Sequence, residues 1–217
     1  MRILLFTGCI IMLSWLTSSC GGSKGQSFCD TACITDSFNF SHPHPDTPFV
    51  KMGMRNCQPD TIYWSHNRLP TVRKQTFNQL VGKKVRLNKE YLDIYFRDTS
   101  YAWLRFNDCI TGRGYLVKLP YSKSDKWSIY TSALNDFDPK YYVEDGMIAY
   151  YDETFIYAQE LATGKMDRML MNNTKLDIDH DNPHDTFDSI HISKNRIWAN
   201  IMINSKWVAK EKKIDPK

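Results

Sequence analysis

The chain contains 217 residues, of which 28 are Lys or Arg and 24 are Asp or Glu, giving a formal net charge of +4. This near balance, with no basic cluster longer than Lys210–Lys213, argues against nucleic acid or an anionic membrane surface as a partner. The length suits one domain with a sizeable core. Aromatic residues make up 13 % of the chain, and we expect them to fill that core more than to form a surface on which sugars stack.

The first 20 residues have the organisation of an export signal. Arg2 supplies a positive charge, and Ile3 to Leu16 is an apolar run of 14 residues, too short to span a bilayer, which takes about 20. The end of this run, Leu16-Thr-Ser-Ser-Cys20, resembles the lipobox of bacterial lipoproteins, in particular those of Bacteroidota, although Thr17 stands where the lipobox usually has Leu. The resemblance implies that residues 1–19 are a signal peptide and that Cys20 carries acyl chains such as palmitate. Plain secretion is the alternative.

The residues that follow Cys20 predict how the chain is held. Residues 20–28 are small and polar, which is typical of a flexible tether, and leave 29–217 as a single β-rich domain. Gly21 stands where an Asp would resemble an inner-membrane retention signal, and the tether has no acidic run of the kind associated with surface export. The resemblance therefore implies a lipid anchor in the outer membrane, with the domain facing the periplasm.

Four cysteines follow the tether, namely Cys29, Cys33, Cys57 and Cys109. An even number in an exported chain predicts disulfides. Their positions favour a Cys57–Cys109 bond that ties neighbouring strand units together, with Cys29–Cys33 closing a small loop, although three pairings are possible. A redox or zinc site is less favoured, because the spacing is neither C-x-x-C nor followed by paired histidines.

A strand pair and one short helix are predicted before the middle of the chain. Residues 49–65 contain two apolar runs separated by Gln58-Pro59-Asp60, which predicts a turn at that tripeptide. Pro70 and Thr71 are helix start signals and Gly82 is a stop signal. The helix is therefore expected near 71–81.

The clearest structural pattern is a β-meander over residues 145–171. Its apolar runs, Met147–Tyr151 and Phe155–Leu161, are rich in β-branched and aromatic residues and flank a polar turn. Similar units recur at 92–119 and 188–214, with a fainter copy at 49–65, in steps of 44 to 54 residues between matching positions. Such steps resemble the length of a four-stranded propeller blade. The sequence thus predicts an all-β fold of antiparallel meanders in a small or incomplete β-propeller-like domain, with a closed barrel or a sandwich as the alternative.

An acidic loop between the last two meanders is the one candidate metal site. Asp177, Asp179, Asp181, Asp185 and Asp188 fall at the spacing of ligands in a calcium loop, which resembles that of an EF-hand. Asn182 stands where the EF-hand has its turn glycine, and the flanks are predicted strands. Calcium is therefore one hypothesis for this loop, and a solvated acidic turn is the other. Zinc held by His180 and His184 is less favoured, because Pro183 disturbs the helix that such spacing needs.

The sequence contains none of the common hydrolase, metalloprotease and dinucleotide motifs, which favours a binding role over catalysis and leaves the question of an enzyme open. We expect instead a lipid-anchored binding module that holds a protein or another envelope ligand near the membrane. An immunity or inhibitor lipoprotein acting on a periplasmic protein is a second hypothesis. A glycan-active hydrolase is a third, and two carboxylates facing one cleft would distinguish it.

Overall fold

The computed structural model describes residues 33–214, and strands account for 51 % and helices for 6 % of the structure. These proportions confirm the all-β prediction. In chain order the strands are β1 (Phe38–Ser41), β2 (Phe49–Arg55), β3 (Gln58–Ser65), β4 (Arg73–Thr76), β5 (Leu92–Arg97), β6 (Tyr101–Asn107), β7 (Gly114–Pro120), β8 (Ser128–Leu134), β9 (Tyr141–Val143), β10 (Met147–Tyr151), β11 (Phe155–Glu160), β12 (Met166–Leu170), β13 (Phe187–Ser193), β14 (Arg196–Ile203) and β15 (Lys206–Lys213). Helix α1 covers Phe77–Val81, and short 3₁₀ helices cover Lys89–Tyr91 and Pro183–Asp185.

The strands form three sheets, ordered β1-β2-β3-β4, β12-β11-β10-β8-β7-β6-β5 and β15-β14-β13-β9. Every pair is antiparallel except β9 with β13, which is parallel. Within residues 33–214 no sheet closes on itself, so the closed-barrel alternative is wrong. The sandwich alternative fits, because the two four-stranded sheets pack on the seven-stranded one.

The predicted meander over residues 145–171 is confirmed. Strand β10 occupies Met147–Tyr151 as predicted, and β11 ends at Glu160, one residue before the predicted end. Their register pairs Ile148 with Gln159 and Tyr150 with Tyr157. Gly164 adopts a positive φ of 75° in the turn to β12, a conformation that glycine adopts without steric cost.

The first hairpin turns at a different place from the predicted one. Gln58-Pro59-Asp60 belongs to β3, and the turn is made by Asn56 and Cys57, whose φ angles are 51° and 62°. Two consecutive positive φ values belong to the two-residue type I′ turn, whose twist suits a hairpin. Asn tolerates that conformation, and this is the local signal that favours position 56 over the proline.

The predicted helix is wrong over its first half. Residues 73–76 form β4, which pairs with β3 and places Arg73 opposite Trp64. The guanidinium of Arg73 lies 5.3 Å from the Trp64 ring centroid and donates a 2.8 Å hydrogen bond to the carbonyl of Pro120. These tertiary contacts override the weak helical pattern. The predicted end holds, since Gly82 caps α1 in the left-handed region and donates to the carbonyl of Asn78.

The predicted disulfide pairing is also wrong, although the prediction of disulfides is confirmed. Cys33 is bonded to Cys57, with 4.8 Å between their Cα atoms. This bond excludes both Cys57–Cys109 and Cys29–Cys33. Cys109 is itself disulfide-bonded, while Cys29 and the predicted lipid site Cys20 lie outside the described residues.

Two apolar clusters lie on one face of the seven-stranded sheet. The first joins β5, β6 and β7 to the β1–β4 sheet, and the second joins β10, β11 and β12 to the β9/β13–β15 sheet. The other face of this sheet is continuous across β8, because Ala133 of β8 lies opposite Gly114 of β7 on one side and opposite Tyr150 of β10 on the other. That opposite face holds the third cluster, which includes Trp103, Leu116 and Ile148.

Candidate functional site

The opposite face of the seven-stranded sheet is curled. Arg97, at the end of β5, donates hydrogen bonds to the carbonyl oxygens of Leu161 and Ala162, in the turn after β11. Four strands separate β5 from β11 in the sheet order, so a flat sheet would hold them about 24 Å apart at roughly 4.8 Å per strand. One arginine side chain can join them only because the sheet bends toward this face.

A cavity of about 310 Å³ lies inside this curl. Its volume falls at the lower end of the roughly 300–1,000 Å³ of ligand sites. Strands β5, β6, β7 and β10 contribute to its wall, together with the loop before β10 and the turn after β11. The side chains that line it include Asp93, Tyr95, Trp103, Arg105, Asp145, Ile148 and Leu161.

Trp103 forms a wall of the cavity, and its indole nitrogen is one of eight buried side-chain polar atoms that have no hydrogen-bond partner among the described residues. The side chain is only 3 % exposed, and its Nε1–H has no hydrogen-bond acceptor among the described residues. Trp103 lies opposite Tyr95 in the β5–β6 register, so the two aromatic rings share the curled face. A buried N–H donor of this kind normally has a partner, which marks this part of the wall as a place where an acceptor is needed.

The cavity lining carries two carboxylates, of Asp93 and Asp145, and one guanidinium, of Arg105. Arg105 forms ion pairs of 3.0 Å with Asp93 and 3.1 Å with Asp136, and its guanidinium lies 5.1 Å from the centroid of the Phe137 ring. Asp145 is exposed, and its carboxylate makes no hydrogen bond or ion pair within residues 33–214. The positive charge in the lining is thus already compensated, whereas one negative charge is available.

A row of tyrosines continues the curled face beyond the cavity. The ring centroids of Tyr130 and Tyr150 are 4.0 Å apart and those of Tyr150 and Tyr157 are 4.8 Å apart, with nearly parallel planes. Burial, followed by the neighbouring Tyr130, raises the pKa of the Tyr150 hydroxyl. Each stacked pair is worth roughly 0.5–1.5 kcal/mol. Because these rings cover one another's faces, the row stabilises the sheet and offers little flat surface to a ligand.

The carboxylates of the predicted calcium loop contact different partners. Asp181 forms ion pairs of 2.8 Å with Lys83 and 3.2 Å with Arg113, and these bonds hold the pKa of its carboxyl below the usual range. Asp179 accepts hydrogen bonds from Asp181 N and Asn182.

The remaining members of that loop are held elsewhere. Asp188 lies on β13, where Lys140 and Asn200 contact its carboxylate, while Asp177 and Asp185 are exposed. Across the part of the chain that the structure describes, no group of three or more His, Cys, Asp or Glu side chains is placed to hold a metal ion. The loop is therefore held to Lys83 and Arg113 through Asp181, and its carboxylates do not converge on one point.

The two histidines of the zinc alternative point to different partners. His180 lies against Tyr151, with 5.4 Å between ring centroids, and burial, with the nearby Arg113, lowers its pKa. His184 Nε2 is 2.5 Å from the buried Asp138 carboxylate. These separate contacts leave no shared ligand position.

The cavity was not predicted from the sequence, because its wall combines residues 93 to 161. The one available signal was the alternation of Tyr101 and Trp103 on β6, which places both aromatic rings on one face. Lys118 Nζ lies 4.2 Å from the centroid of the Tyr101 ring and 5.7 Å from that of Trp103. One side of this aromatic pair is therefore already covered by an ammonium group.

The fold and the cavity define an all-β protein whose curled seven-stranded sheet is backed by two smaller sheets. No protein-family model, no curated protein and no solved structure matches the chain. A search for a helix long and apolar enough to cross a bilayer finds none between residues 33 and 214.

Proposed function

We propose that this chain is a lipid-anchored binding module of the bacterial envelope and that it holds a small ligand in the cavity inside the curled sheet. The observation that carries the proposal is the buried Trp103 N–H, which has no acceptor within residues 33–214. Leaving such a donor unpaired costs roughly 1–3 kcal/mol. A ligand with a hydrogen-bond acceptor at this wall would remove that cost on binding.

The anchor rests on the sequence. The pattern Leu16-Thr-Ser-Ser-Cys20 after a short apolar run supports acylation at Cys20, and Gly21 supports the outer membrane. The tether of residues 20–28 would then hold the cavity in the periplasm, within reach of soluble envelope compounds. The balanced charge gives no support to a nucleic-acid partner.

The test of binding is a ligand screen on the processed protein. The lipoprotein should be purified in a detergent without a sugar headgroup and screened by thermal shift against small envelope compounds. Tyr95→Ala, in the cavity wall, should weaken every true hit. Tyr142→Ala is the matched control, because Tyr142 is 49 % exposed on β9 and lies outside the cavity lining. Hits that respond equally to both variants would contradict a site in the cavity.

A glycan-active hydrolase is the second candidate, and one observation favours it. Asp93 and Asp145 both line the cavity, which is the pair of carboxylates in one cleft that such an enzyme needs. Asp93 is bound to Arg105, whereas Asp145 is open to solvent. Release of reducing ends from envelope glycans, abolished in both Asp93→Asn and Asp145→Asn, would establish hydrolysis. Binding without release would leave the module as a binder.

An envelope protein as partner, including a periplasmic protein that the chain inhibits, is tested by pull-down from envelope membranes followed by mass spectrometry. The processed lipoprotein should serve as bait, with Cys20→Ala as the control for its position at the membrane. One protein recovered stoichiometrically from wild type would favour the immunity or inhibitor hypothesis.

The repeat interpretation also stays a proposal. We infer that the meanders descend from propeller-like units, supported by the two four-stranded sheets at either end of the chain and by the 44- to 54-residue steps. In the described residues β8 pairs with β10, which joins the two middle units into one sheet. A variant series that unfolds in separate steps for each unit would support this origin.

A further inference from the structure

Building on the proposed function, we propose that the ligand of the cavity is a saccharide, a neutral ring that carries several hydroxyl groups. Three properties of the wall favour such a ligand: its charge, its pattern of hydrogen-bond donors and acceptors, and its apolar surface. The residues involved are Asp93, Tyr95, Trp103, Arg105, Asp145 and Leu161.

The charges of the wall disfavour an anion throughout the cavity and a cation beside Arg105 and the Trp103 ring, and they leave the carboxylate of Asp145 open to a neutral hydrogen-bond donor. An anionic ligand would meet Asp145, whose carboxylate has no partner within residues 33–214, and would have to separate Arg105 from Asp93 and Asp136. An organic cation would have to enter beside Arg105. Lys118 also lies 5.7 Å from the centroid of the Trp103 ring, so a second cation at that ring would be repelled. A neutral molecule avoids both penalties.

The hydrogen-bonding groups of the wall favour a ligand that carries hydroxyl groups. Trp103 Nε1–H is a donor only and has no acceptor, while the carboxylate of Asp145 is an acceptor only and has no donor within residues 33–214. A hydroxyl group supplies one donor and two acceptor positions, so neighbouring hydroxyls on one ring can satisfy both kinds of group. A quaternary ammonium ion offers no acceptor to the indole N–H, and a hydrocarbon offers neither function.

The rest of the wall suits the C–H face of a sugar ring. Tyr95 is half-buried and stacks on no other aromatic ring within residues 33–214, unlike the tyrosine row beside it. Ile148 and Leu161 are buried members of the same apolar cluster. An aromatic ring and two aliphatic side chains around a few polar groups is the usual composition of a small-molecule site, and the cavity of about 310 Å³ limits the ligand to a small one.

The experiment is a titration of the processed lipoprotein, in a detergent without a sugar headgroup, with neutral mono- and disaccharides, choline chloride and sodium acetate. Saturation-transfer NMR and calorimetry should detect a saccharide and neither ion. Trp103→Phe keeps the ring and removes the N–H, and should weaken saccharide binding about 2- to 12-fold, the range expected for one hydrogen bond. Trp198→Phe, on β14 and outside the cavity lining, should bind like wild type.

A second variant distinguishes loss of binding from loss of folding. Asp145 is exposed, so Asp145→Ala should keep the wild-type melting temperature while weakening the saccharide. Choline or acetate bound in the cavity, with no saccharide bound, would overturn the saccharide inference and leave the proposed binding module intact. Saccharide binding that neither Trp103→Phe nor Asp145→Ala alters would overturn it as well. No binding of any compound, here and in the wider screen, would overturn both proposals.

Discussion

Replacing Gly114 by alanine should destabilise the fold strongly. A Cβ at this position would meet the carbonyl oxygen of Ala133 at 2.1 Å and its carbonyl carbon at 2.9 Å. Both are backbone atoms of β8, the strand paired with β7 at this point, so they cannot rotate away as a side chain would. The two strands would have to separate by roughly 1 Å to restore ordinary contact distances.

The cost follows from that separation. Overpacking a well-filled site costs about 1–3 kcal/mol, and each weakened strand hydrogen bond adds roughly 0.5–1.5 kcal/mol. Gly114→Ala should therefore lower the free energy of unfolding by about 2–4 kcal/mol. For a protein of this size each kcal/mol corresponds to about 2–4 °C, so the melting temperature should fall by about 4–16 °C.

Gly53→Ala provides the matched control. Gly53 lies in β2 beside a register shift, as Gly114 does in β7, but its added Cβ would meet the Thr61 carbonyl oxygen at an ordinary 3.6 Å. Removing glycine from a strand interior is worth roughly 0.5–1 kcal/mol, so Gly53→Ala should be neutral or slightly stabilising. Urea unfolding followed by tryptophan fluorescence gives both values, with equal slopes if only stability changes. Equal midpoints for the two variants would refute the steric reasoning.

Four further predictions concern the docked loop, its response to calcium, the disulfides and the anchor. The folded pKa of Asp181 lies below its unfolded value of about 3.9, so its ion pairs stabilise the fold above that pH, and this stabilisation is lost as pH falls through the folded pKa. Asp181→Asn should therefore lower the free energy of unfolding by about 1 kcal/mol at pH 7, after allowance for the exposure of Asp181. A difference between variant and wild type that does not depend on pH would contradict the ion pair. Millimolar calcium should leave the wild-type melting temperature unchanged, since the loop's best-placed carboxylate is already paired, and a rise of several degrees would restore the calcium hypothesis. Non-reducing peptide mapping should recover Cys33–Cys57 and no free Cys109 thiol, whereas a Cys57–Cys109 peptide would contradict the structure. Cys20→Ala should abolish labelling by a palmitate analogue and release the protein from membranes, and persistent labelling would disprove the lipobox assignment.

Local pattern was enough to predict most of the strands. The run from Met147 to Tyr151 is apolar at every position, and both faces of β10 are packed. One face contacts the β9/β13–β15 sheet, and the other contacts Trp103 and Leu116. The C-terminal strands β13, β14 and β15 occupy the unit predicted at 188–214, and β13 begins one residue earlier. In each of these cases the residues near in sequence also decide the pairing, so no distant contact is needed to make the prediction.

Distant contacts decided the parts that were missed. Strand β8, Ser128–Leu134, mixes serine and threonine with apolar residues and has no clear period in the sequence. It becomes a strand because β7 and β10 supply its two hydrogen-bonding edges. Arg73 likewise belongs to a strand because Trp64 and Pro120 bind its guanidinium. Trp64 lies nearby in the sequence, but Pro120 is 47 residues away and outside any local window.

The cavity depends on the same kind of distant contact. Its chemistry needs Asp93 and Trp103 near one edge of a seven-stranded sheet to face Asp145 and Leu161 near the other. That approach requires β8 to join the two halves and requires Arg97 to hold the turn after β11 over the curled face. A change that loosens the β7–β8 pairing, as Gly114→Ala should, is therefore expected to open the cavity as well as to lower stability. Loss of ligand binding in Gly114→Ala at a temperature where it is still folded, with binding retained in Gly53→Ala, would show that the curl itself forms the site.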